Sequence, residues 1–195
     1  MIKLELFTPA DFAQLIAWVD TEQLLYEWSG SLFSFPLTPA GLDWYLEGAN
    51  DFANPEVFIY KAIESDTGRA VGHISLGGIS ERNRSGRISR VLVAEGKGRG
   101  YCAAMVRAVL RIGFEQLHLH RIDLGVYDFN HAAIRCYEKC GLRVDGVLRD
   151  VLRRPFILQD THFDQAPEFV VVAQHVAQHA IYAQATFLVA ANGGM

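Results

Sequence analysis

The stretch that most constrains the fold is residues 90–105, which read RVLVAEGKGRGYCAAM. A β-branched apolar run is followed by a loop with Gly96, Gly98 and Gly100, and then by a helix-forming segment. Alternate glycines let the backbone approach a ligand closely, and the first amides of a helix point at one spot. Glycines are also common in plain turns. The stretch therefore predicts a strand, a loop and a helix, with an anion such as phosphate as the candidate ligand.

Two nucleotide-binding motifs share this general plan. A phosphate-loop NTPase needs G-x-x-x-x-G-K-[ST], and Gly100 is followed by Tyr101 instead of lysine, which excludes that class. A dinucleotide fingerprint needs G-x-G-x-x-G with an acidic residue about twenty positions on. Gly98, Gly100 and Ala103 match it in part, with Asp123 as the acid. A nicotinamide-dependent oxidoreductase therefore remains an alternative, although such domains usually begin with this unit and here hairpin-like sequence precedes it.

Composition and charge narrow the function classes. The chain has 195 residues, 50% of them hydrophobic, which is enough for one domain with a substantial core. A net charge of −4, with basic residues interleaved among acids, argues against nucleic acid or a membrane surface as partner. The cysteines Cys102, Cys136 and Cys140 are odd in number and lack metal-type spacing, so we expect a reduced cytoplasmic location. No targeting segment or membrane-spanning window is recognisable.

The first part of the chain predicts one strand and three helices. Residues 2–7 alternate apolar and polar side chains, as a strand does. Thr8-Pro9 and Thr38-Pro39 are helix starts, because threonine caps the first turn and proline fits the first helical position. A second helix is predicted over residues 21–28. The aromatic-rich loop 29–37 either packs over the core or lines a substrate entrance.

The middle of the chain predicts an antiparallel meander that leads into the glycine loop. Strands are expected at 57–63, 70–79 and 87–93, followed by a helix over 102–117, a strand at 121–126, a helix over 130–139 and a strand at 142–147. The predicted fold class is α+β, with a mixed, mostly antiparallel central sheet flanked by helices on both faces.

The C-terminal segment has a different character. From position 169 onwards there is no Lys, Arg, Asp or Glu, and the tetrapeptide VAQH occurs twice. The repeat suits a helix, whereas residues 169–172 and 186–189 resemble strands, and both alternatives stay open. His175 and His179 would suit a metal only on a helix, and buried or surface histidines are more common. We therefore predict a domain over residues 1–154 and an atypical segment over 155–195 that completes the sheet or forms a homodimer interface.

A second motif follows the glycine loop. Residues 130–142 read NHAAIRCYEKCGL, or N-x-x-A-x-x-x-Y-x-x-x-G-L. Together with the strand, glycine loop and helix, this motif resembles the GNAT superfamily, whose members move acetyl from acetyl-coenzyme A to an amine. The order, the spacing and the opening helices resemble most its ribosomal-protein alanine N-acetyltransferase branch. The resemblance covers about residues 2–151.

The resemblance implies a coenzyme site at the glycine loop. The loop amides would hold the pyrophosphate of acetyl-coenzyme A, and two basic side chains would add positive charge. The loop residues concerned are Gly96, Lys97, Gly98, Arg99, Gly100 and Tyr101. The amide-rich pantetheine arm would dock like an extra strand along Val91, Leu92 and Val93.

The resemblance also assigns roles on the second motif. Asn130 has an amide that could fix the pantetheine or a water, and Ala133 would lie beside the coenzyme. Tyr137 would be the general acid that protonates the departing thiolate, with Asn130 as the other catalytic residue. Without the resemblance, Tyr137 would be assigned to the core.

Three positions depart from the family pattern. Glu95 stands where relatives usually carry Arg or Gln, which places a negative charge beside the phosphate site. Gly125 stands where some ribosomal-protein-acetylating relatives carry a glutamate base, so the base is unassigned, with a water or a residue of the strand 71–75 as candidates. The family closes its sheet with a further strand, and the tail shows no recognisable version of it.

The sequence thus predicts a cytoplasmic N-acetyltransferase that uses acetyl-coenzyme A and no metal, with direct transfer because no activated nucleophile is evident. The acceptor would be a small-molecule or peptide amine. Glu22, Glu27 and Asp43 near the aromatic loop would suit a cationic acceptor, or they are solvated surface acids. A coenzyme-A-binding or degenerate module without turnover is the alternative that Glu95 and Gly125 favour.

Overall fold

The computed structural model describes residues 1–96, 98–149 and 168–175. Within these residues, seven strands form one sheet in the order β1-β2-β3-β4-β5-β7-β6. The strands are β1 (Ile2–Leu6), β2 (Phe58–Glu64), β3 (Arg69–Ser80), β4 (Ser85–Val93), β5 (Arg121–Tyr127), β6 (Arg143–Leu148) and β7 (Phe169–His175). All neighbouring strands are antiparallel except β4 and β5. The predicted α+β class with a mostly antiparallel sheet is confirmed.

Five α-helices accompany the sheet in the described residues: α1 (Phe12–Trp18), α2 (Glu22–Ser29), α3 (Pro39–Leu46), α4 (Tyr101–Arg111) and α5 (His131–Lys139). A 3₁₀ turn at Pro9–Asp11 precedes α1, and a π-helical turn at Ile112–Gln116 continues α4. Threonine side chains cap two helices, and the cap at Thr38 was predicted. Thr21 Oγ1 accepts from the Leu24 amide and Thr38 Oγ1 accepts from the Gly41 amide, each at 3.2 Å.

Apolar residues are buried in two clusters. One contains α4 residues such as Met105 and Val109 together with Ile122 of β5, all fully buried. The other contains α1 and α3 residues such as Leu15 and Leu42, which are also fully buried. Burial of each such side chain stabilises the fold by about 1.5–3 kcal/mol. The sheet therefore lies between the two clusters, with helices packed on both of its faces.

The strand β7 lies between β5 and β6, although it follows both in sequence. Val172 of β7 pairs with Leu124 on one side and with Val144 on the other. The sequence left helix and strand open for this region, and Phe169–His175 is a strand. His175 is therefore not part of a helical histidine pair. The predictions for His179 and for residues 186–189 lie outside the described residues.

The pairing between β4 and β5 is short, and this positions the site. The parallel register runs only from Ser85 opposite Arg121 to Ile88 opposite Leu124. Beyond that point β5 stays paired with β7, whereas β4 continues alone on this side to Val93. A gap therefore opens in the sheet beside the second half of β4.

Truncation after Arg154 should abolish cooperative folding, because it removes β7 from the middle of the sheet. The lost strand carries three buried side chains, Val170, Val172 and Ala173, and its loss leaves β5 and β6 without their shared neighbour. We expect an insoluble product or one without a thermal transition in circular dichroism. A soluble truncated chain with an unchanged Tm would contradict this placement of β7.

Candidate active site

The gap between β4 and β5 contains two cavities that meet. The loop-side cavity, of about 610 Å³, lies between the end of β4, the glycine loop and the first turns of α4 and α5. The α2-side cavity, of about 260 Å³, lies between α2, β4 and β5. Both cavities are lined by Val91, Asn130 and Tyr137. Molecules bound in the two cavities would therefore both contact these three residues.

Most of the sequence-predicted residues come together in the loop-side cavity. Its lining includes Val91, Val93, Gly96, Gly98, Gly100, Tyr101, Asn130, Ala133 and Tyr137. Leu92 does not line it, because its side chain is buried in the cluster on the α1–α3 face. Arg99 is also absent from the lining, and Lys97 lies outside the described residues.

The glycine loop has the backbone geometry that its sequence requires. Gly96, Gly98 and Gly100 have φ values of +70°, +85° and +80°, which disfavour side chains. A Cβ atom at Gly98 would meet nothing within 4 Å, so the space beside it is open. Helix α4 begins directly afterwards at Tyr101, and the first amides of a helix have no intrahelical acceptor. These features make the loop suitable for an anion.

Glu64 of β2 holds the glycine loop through hydrogen bonds and an ion pair. Its side chain, which is 7% exposed, accepts hydrogen bonds from the hydroxyl groups of Tyr101 and Thr67, and it forms an ion pair with Arg99 at 2.9 Å. The hydrogen bonds from Tyr101 and Thr67 hold the pKa of the Glu64 carboxyl below its usual range. The carboxylate is therefore ionised and fixes the start of α4. The Arg99 guanidinium is engaged and lies 5.0 Å above the Tyr101 ring.

Glu95 is paired as well. Arg69 of β3 forms an ion pair with the Glu95 carboxylate. Both side chains are partly exposed, so the pair is worth little in stability. The ion pair matters electrostatically, because Arg69 offsets the negative charge that Glu95 places beside the proposed phosphate site.

Asn130 and Tyr137 occupy the junction of the two cavities. Asn130 caps α5, since its Oδ1 accepts from the Ala133 amide at 3.1 Å, and its Nδ2 has no partner among the described residues. Tyr137 is 6% exposed. Burial, together with the neighbouring thiols Cys102 and Cys136, raises the pKa of Tyr137 above its ordinary value. The phenol is therefore protonated at neutral pH and can donate a proton.

Two cysteines belong to the wall of the loop-side cavity. Cys102 and Cys136 line it as free thiols, and the third, Cys140, donates to the Ala103 carbonyl oxygen at 3.6 Å. Within the described part of the chain, no cluster of His, Cys, Asp and Glu is arranged to hold a metal ion. In the same residues, no helix is long and apolar enough to cross a membrane.

The α2-side cavity is shaped by a bulge in β4. His73 pairs with Leu92 and Ser75 pairs with Ser89, so two residues of β4 oppose one of β3. Arg90 is at the bulge with a φ of +51°. Its carbonyl oxygen is 3.1 Å from His73 Nδ1 and accepts from Trp28 Nε1 at 2.9 Å. These contacts tie the bulge to β3 and α2.

Gly125 and Phe169 explain the missing carboxylate base. A Cβ atom at Gly125 would overlap the ring of Phe169, the first residue of β7. Phe169 also packs edge-on against Tyr127, with the ring centroids 5.8 Å apart. Any side chain at position 125 would displace this aromatic ring, so the structure has no room for a glutamate there.

Sequence reasoning missed several residues of the site. Arg90, Trp28 and Phe169 line the α2-side cavity, and Glu64 holds the loop. Arg90 lies within the strand predicted at 87–93, and the strand pattern alone assigns it no role in binding. A charged residue directly before the apolar run Val-Leu-Val is the sequence signal that could have identified Arg90. The other three depend on tertiary contacts that no local pattern reports.

The comparisons with known proteins agree with the fold. The family model described as "Acetyltransferase (GNAT) domain" matches residues 2–143. An uncharacterized SPbeta prophage-derived N-acetyltransferase of Bacillus subtilis (strain 168) is 30% identical over 95 residues, which are 49% of this chain and 53% of that protein. The chain thus spans about half the length of this relative.

Two further relatives come from Vibrio cholerae. Its spermidine N(1)-acetyltransferase is 26% identical over 143 residues, 63% of this chain and 82% of that protein. A crystal structure of spermidine N-acetyltransferase in complex with CoA and spermine superposes with a TM-score of 0.72 at 18% identity, covering 89% of this chain and 95% of that one. At this identity the superposition shows the fold.

The mostly antiparallel fold of the chain is thus shared with an acetyltransferase of known structure. The chain belongs to the acetyltransferase (GNAT) domain family. The resemblance found in the two sequence motifs is therefore confirmed at the level of the superfamily. None of the relatives named above is an oxidoreductase, and the dinucleotide alternative has no support among them.

Gly125→Ala should destabilise the protein by about 1–3 kcal/mol, the usual range for an overpacked core, because the new methyl group collides with the Phe169 ring. Urea unfolding would measure the change. Gly146→Ala in β6 is the matched control, since a Cβ atom there meets nothing within 4 Å. Equal effects of the two substitutions would contradict the contact between Gly125 and Phe169.

Proposed function

We propose that this chain transfers the acetyl group of acetyl-coenzyme A directly to the primary amine of a small-molecule or peptide acceptor. The observation that carries the proposal is the junction at Val91, Asn130 and Tyr137, where the loop-side cavity meets the α2-side cavity. The first cavity suits the coenzyme and the second suits the acceptor. Family membership and the N-acetyltransferase relatives support this assignment.

The residues present fit the coenzyme. The open space beside Gly98 and the unpaired amides at the start of α4 suit a pyrophosphate. The stretch of β4 beyond Ile88 has no partner strand on the β5 side, so its backbone groups suit the amides of a pantetheine arm. Val91 and Val93 belong to this stretch. When bound, acetyl-coenzyme A would supply an acetyl group activated as a thioester.

Arg99 and Leu92 have narrower roles in this proposal than the sequence suggested. Arg99 is held by Glu64, so the loop amides and the helix dipole replace it as the proposed phosphate ligands, beside the cations Arg135 and Lys139 of the cavity lining. Leu92 contributes backbone only, because its side chain packs on the opposite face. Lys97 keeps its proposed role as a second cation of the loop. Ala133 lines the loop-side cavity, and a larger side chain there would narrow the space proposed for the coenzyme.

Tyr137 is proposed as the general acid and Asn130 as its neighbour at the reaction centre. The raised pKa keeps the Tyr137 hydroxyl protonated, and the hydroxyl has no hydrogen-bond partner among the described residues. It can therefore give its proton to a departing thiolate. Asn130 has its Oδ1 committed to the helix cap, which leaves the Nδ2 hydrogens for a carbonyl oxygen or a water.

The base is proposed to be water. Gly125 carries no side chain, and Phe169 fills the space beside it. His73 is the titratable residue of the strand 71–75, but burial lowers its pKa to about 4. A group with that pKa is a weak base at neutral pH, whereas an efficient catalytic base has a pKa near the working pH.

The spermidine relatives favour a small amine over a protein terminus, and the absence of space for a base at position 125 weighs against the ribosomal-protein alanine branch. Residues 1–154 are proposed as the main domain, completed by β7 from the segment 155–195. Val144, Val147 and Leu148 are exposed on the edge strand β6 and would suit a homodimer contact in the cytoplasm.

Gly98→Val should abolish binding of acetyl-coenzyme A, because the side chain would fill the space proposed for the pyrophosphate and the residue has a φ of +85°. Isothermal titration calorimetry with acetyl-coenzyme A would measure the affinity. Gly68→Val is the matched control, since Gly68 also has a positive φ, +70°, and open space but lies in the β2–β3 turn. Unchanged affinity in Gly98→Val would end the phosphate-site assignment.

Tyr137→Phe should lower kcat at least tenfold, since general acid catalysis typically contributes about 10² to 10⁴ in rate. The ring and its packing remain, so the Kd for acetyl-coenzyme A should stay within about threefold, as expected for an interaction made mainly in the transition state. Steady-state kinetics with any accepted amine would measure kcat, calorimetry would measure the Kd, and the absence of a pre-steady-state burst would show that chemistry is rate-limiting. If kcat decreases by less than about threefold, Tyr137 is a structural core residue and not the general acid.

The same assays separate an enzyme from a degenerate module. A coenzyme-binding module without turnover would bind acetyl-coenzyme A and respond to Gly98→Val, but would acetylate no amine. The proposed enzyme would bind acetyl-coenzyme A and also acetylate an amine.

A further inference from the structure

Arg90, a residue of the α2-side cavity lining, has no counter-ion among the described residues. Arg90 lines this cavity and its Nε atom is buried without a hydrogen-bond partner. Among the described residues, no carboxylate lies within ion-pair distance of Arg90. The other arginine of the lining, Arg87, is paired with Asp123 at 2.6 Å. Arg87 is therefore neutralised by a carboxylate, whereas Arg90 is not neutralised within the described residues.

The immediate surroundings of Arg90 are neutral. Its guanidinium carbon lies 5.1 Å from the centroid of the Tyr45 ring, and the His73 ring is 5.9 Å from that of Tyr45. Burial raises the pKa of Tyr45 to about 12 and lowers the pKa of His73 to about 4. Neither side chain is charged at neutral pH. His73 Nε2 is also buried without a partner in the described residues, so the cluster holds unsatisfied polar groups.

A partly buried cation is costly unless an anion or several hydrogen bonds compensate it, and contact with an aromatic face compensates only in part. The missing anion is expected from whatever fills the cavity. We propose that Arg90 binds an anionic group of the acceptor, so that the acceptor is a primary amine carrying a carboxylate or a phosphate. This inference rests on the proposed function, since it names the class of amine that the α2-side cavity receives.

The other charge of the cavity fits the same class. Glu27 of α2 is the carboxylate in the lining, and it is exposed and accepts from Gln23 Nε2 at 2.9 Å. A polycation would have to place one positive charge near Arg90, which is unfavourable in a site with reduced solvent. An acceptor with one amine and one acid group avoids this repulsion. The chain would then differ in acceptor from its spermidine-acetylating relatives.

The test compares matched acceptors with the full-length protein. L-methionine is paired with L-methioninamide, O-phosphoethanolamine is paired with ethanolamine, and spermidine represents the polycations. We expect kcat/KM for the acid member of at least one pair to exceed its neutral partner by tenfold or more, because a charge-assisted hydrogen bond contributes on the order of that factor. The two pairs distinguish a carboxylate from a phosphate as the bound group.

Variants then test whether Arg90 causes the preference. Arg90→Gln should raise KM for the acid acceptor at least tenfold with kcat within threefold, and it should leave the neutral partner unchanged. Arg90→Lys should restore part of the preference. Arg82→Gln removes the same charge from the exposed β3–β4 turn and should change neither KM.

Three outcomes would overturn the inference. Equal or better use of the neutral amines or of spermidine by the wild type would do so without any variant, which covers the case in which Arg90→Gln fails to fold. An equal loss for acid and neutral acceptors in Arg90→Gln would assign Arg90 to the structure alone. Acetylation of no amine in either series, despite binding of acetyl-coenzyme A, would overturn the proposed function and the inference together.

Discussion

The site depends on one constraint, which is that the hydrogen bonding between β4 and β5 ends at Ile88 and Leu124. A backbone group buried without a partner costs about 1–3 kcal/mol, so a parted sheet is stable only where solvent or a ligand reaches the exposed edge. Here β7 pairs with β5 on its far side and the bulge at Arg90 turns β4 away. The same separation that leaves β4 unpaired creates both cavities and brings them together at Val91 and Tyr137.

The glycine loop is held by charges that neutralise one another. Glu64 pairs with Arg99, and Glu95 pairs with Arg69. Because both arginines are engaged, the loop offers an anion its backbone amides and the N-terminus of α4 rather than these two guanidinium groups. A carboxylate as close as Glu64 would oppose a phosphate if it were free. The hydrogen bonds from Tyr101 and Thr67 spread its charge and fix the loop in a shape that a ligand need not reorganise.

The sequence predicted the parts of the structure that local patterns determine. Alternation, threonine caps and glycine spacing located six strands, the helices and most of the loop-side cavity, because each of these signals is contained in a few neighbouring residues. The sequence does not decide the structure of β7, because Phe169–His175 lies far along the chain from its partners and begins with five apolar residues, which suit a buried strand and a helix equally. The α2-side cavity was missed because Trp28, Arg90 and Phe169 meet only after the sheet has formed.

The acceptor side shows how a site can work without a carboxylate base. The amine must lose a proton before it attacks, and Gly125 with Phe169 excludes a side-chain base at that position. Removal of an ammonium group from water lowers its pKa, because the charged form of the amine is disfavoured. Each unit of that shift corresponds to about 1.4 kcal/mol and raises the neutral fraction about tenfold at a pH well below the amine pKa. Under the proposed function, burial in the α2-side cavity would therefore favour the neutral form of the amine, with water as the proton acceptor, while Arg90 holds the anionic end of the acceptor.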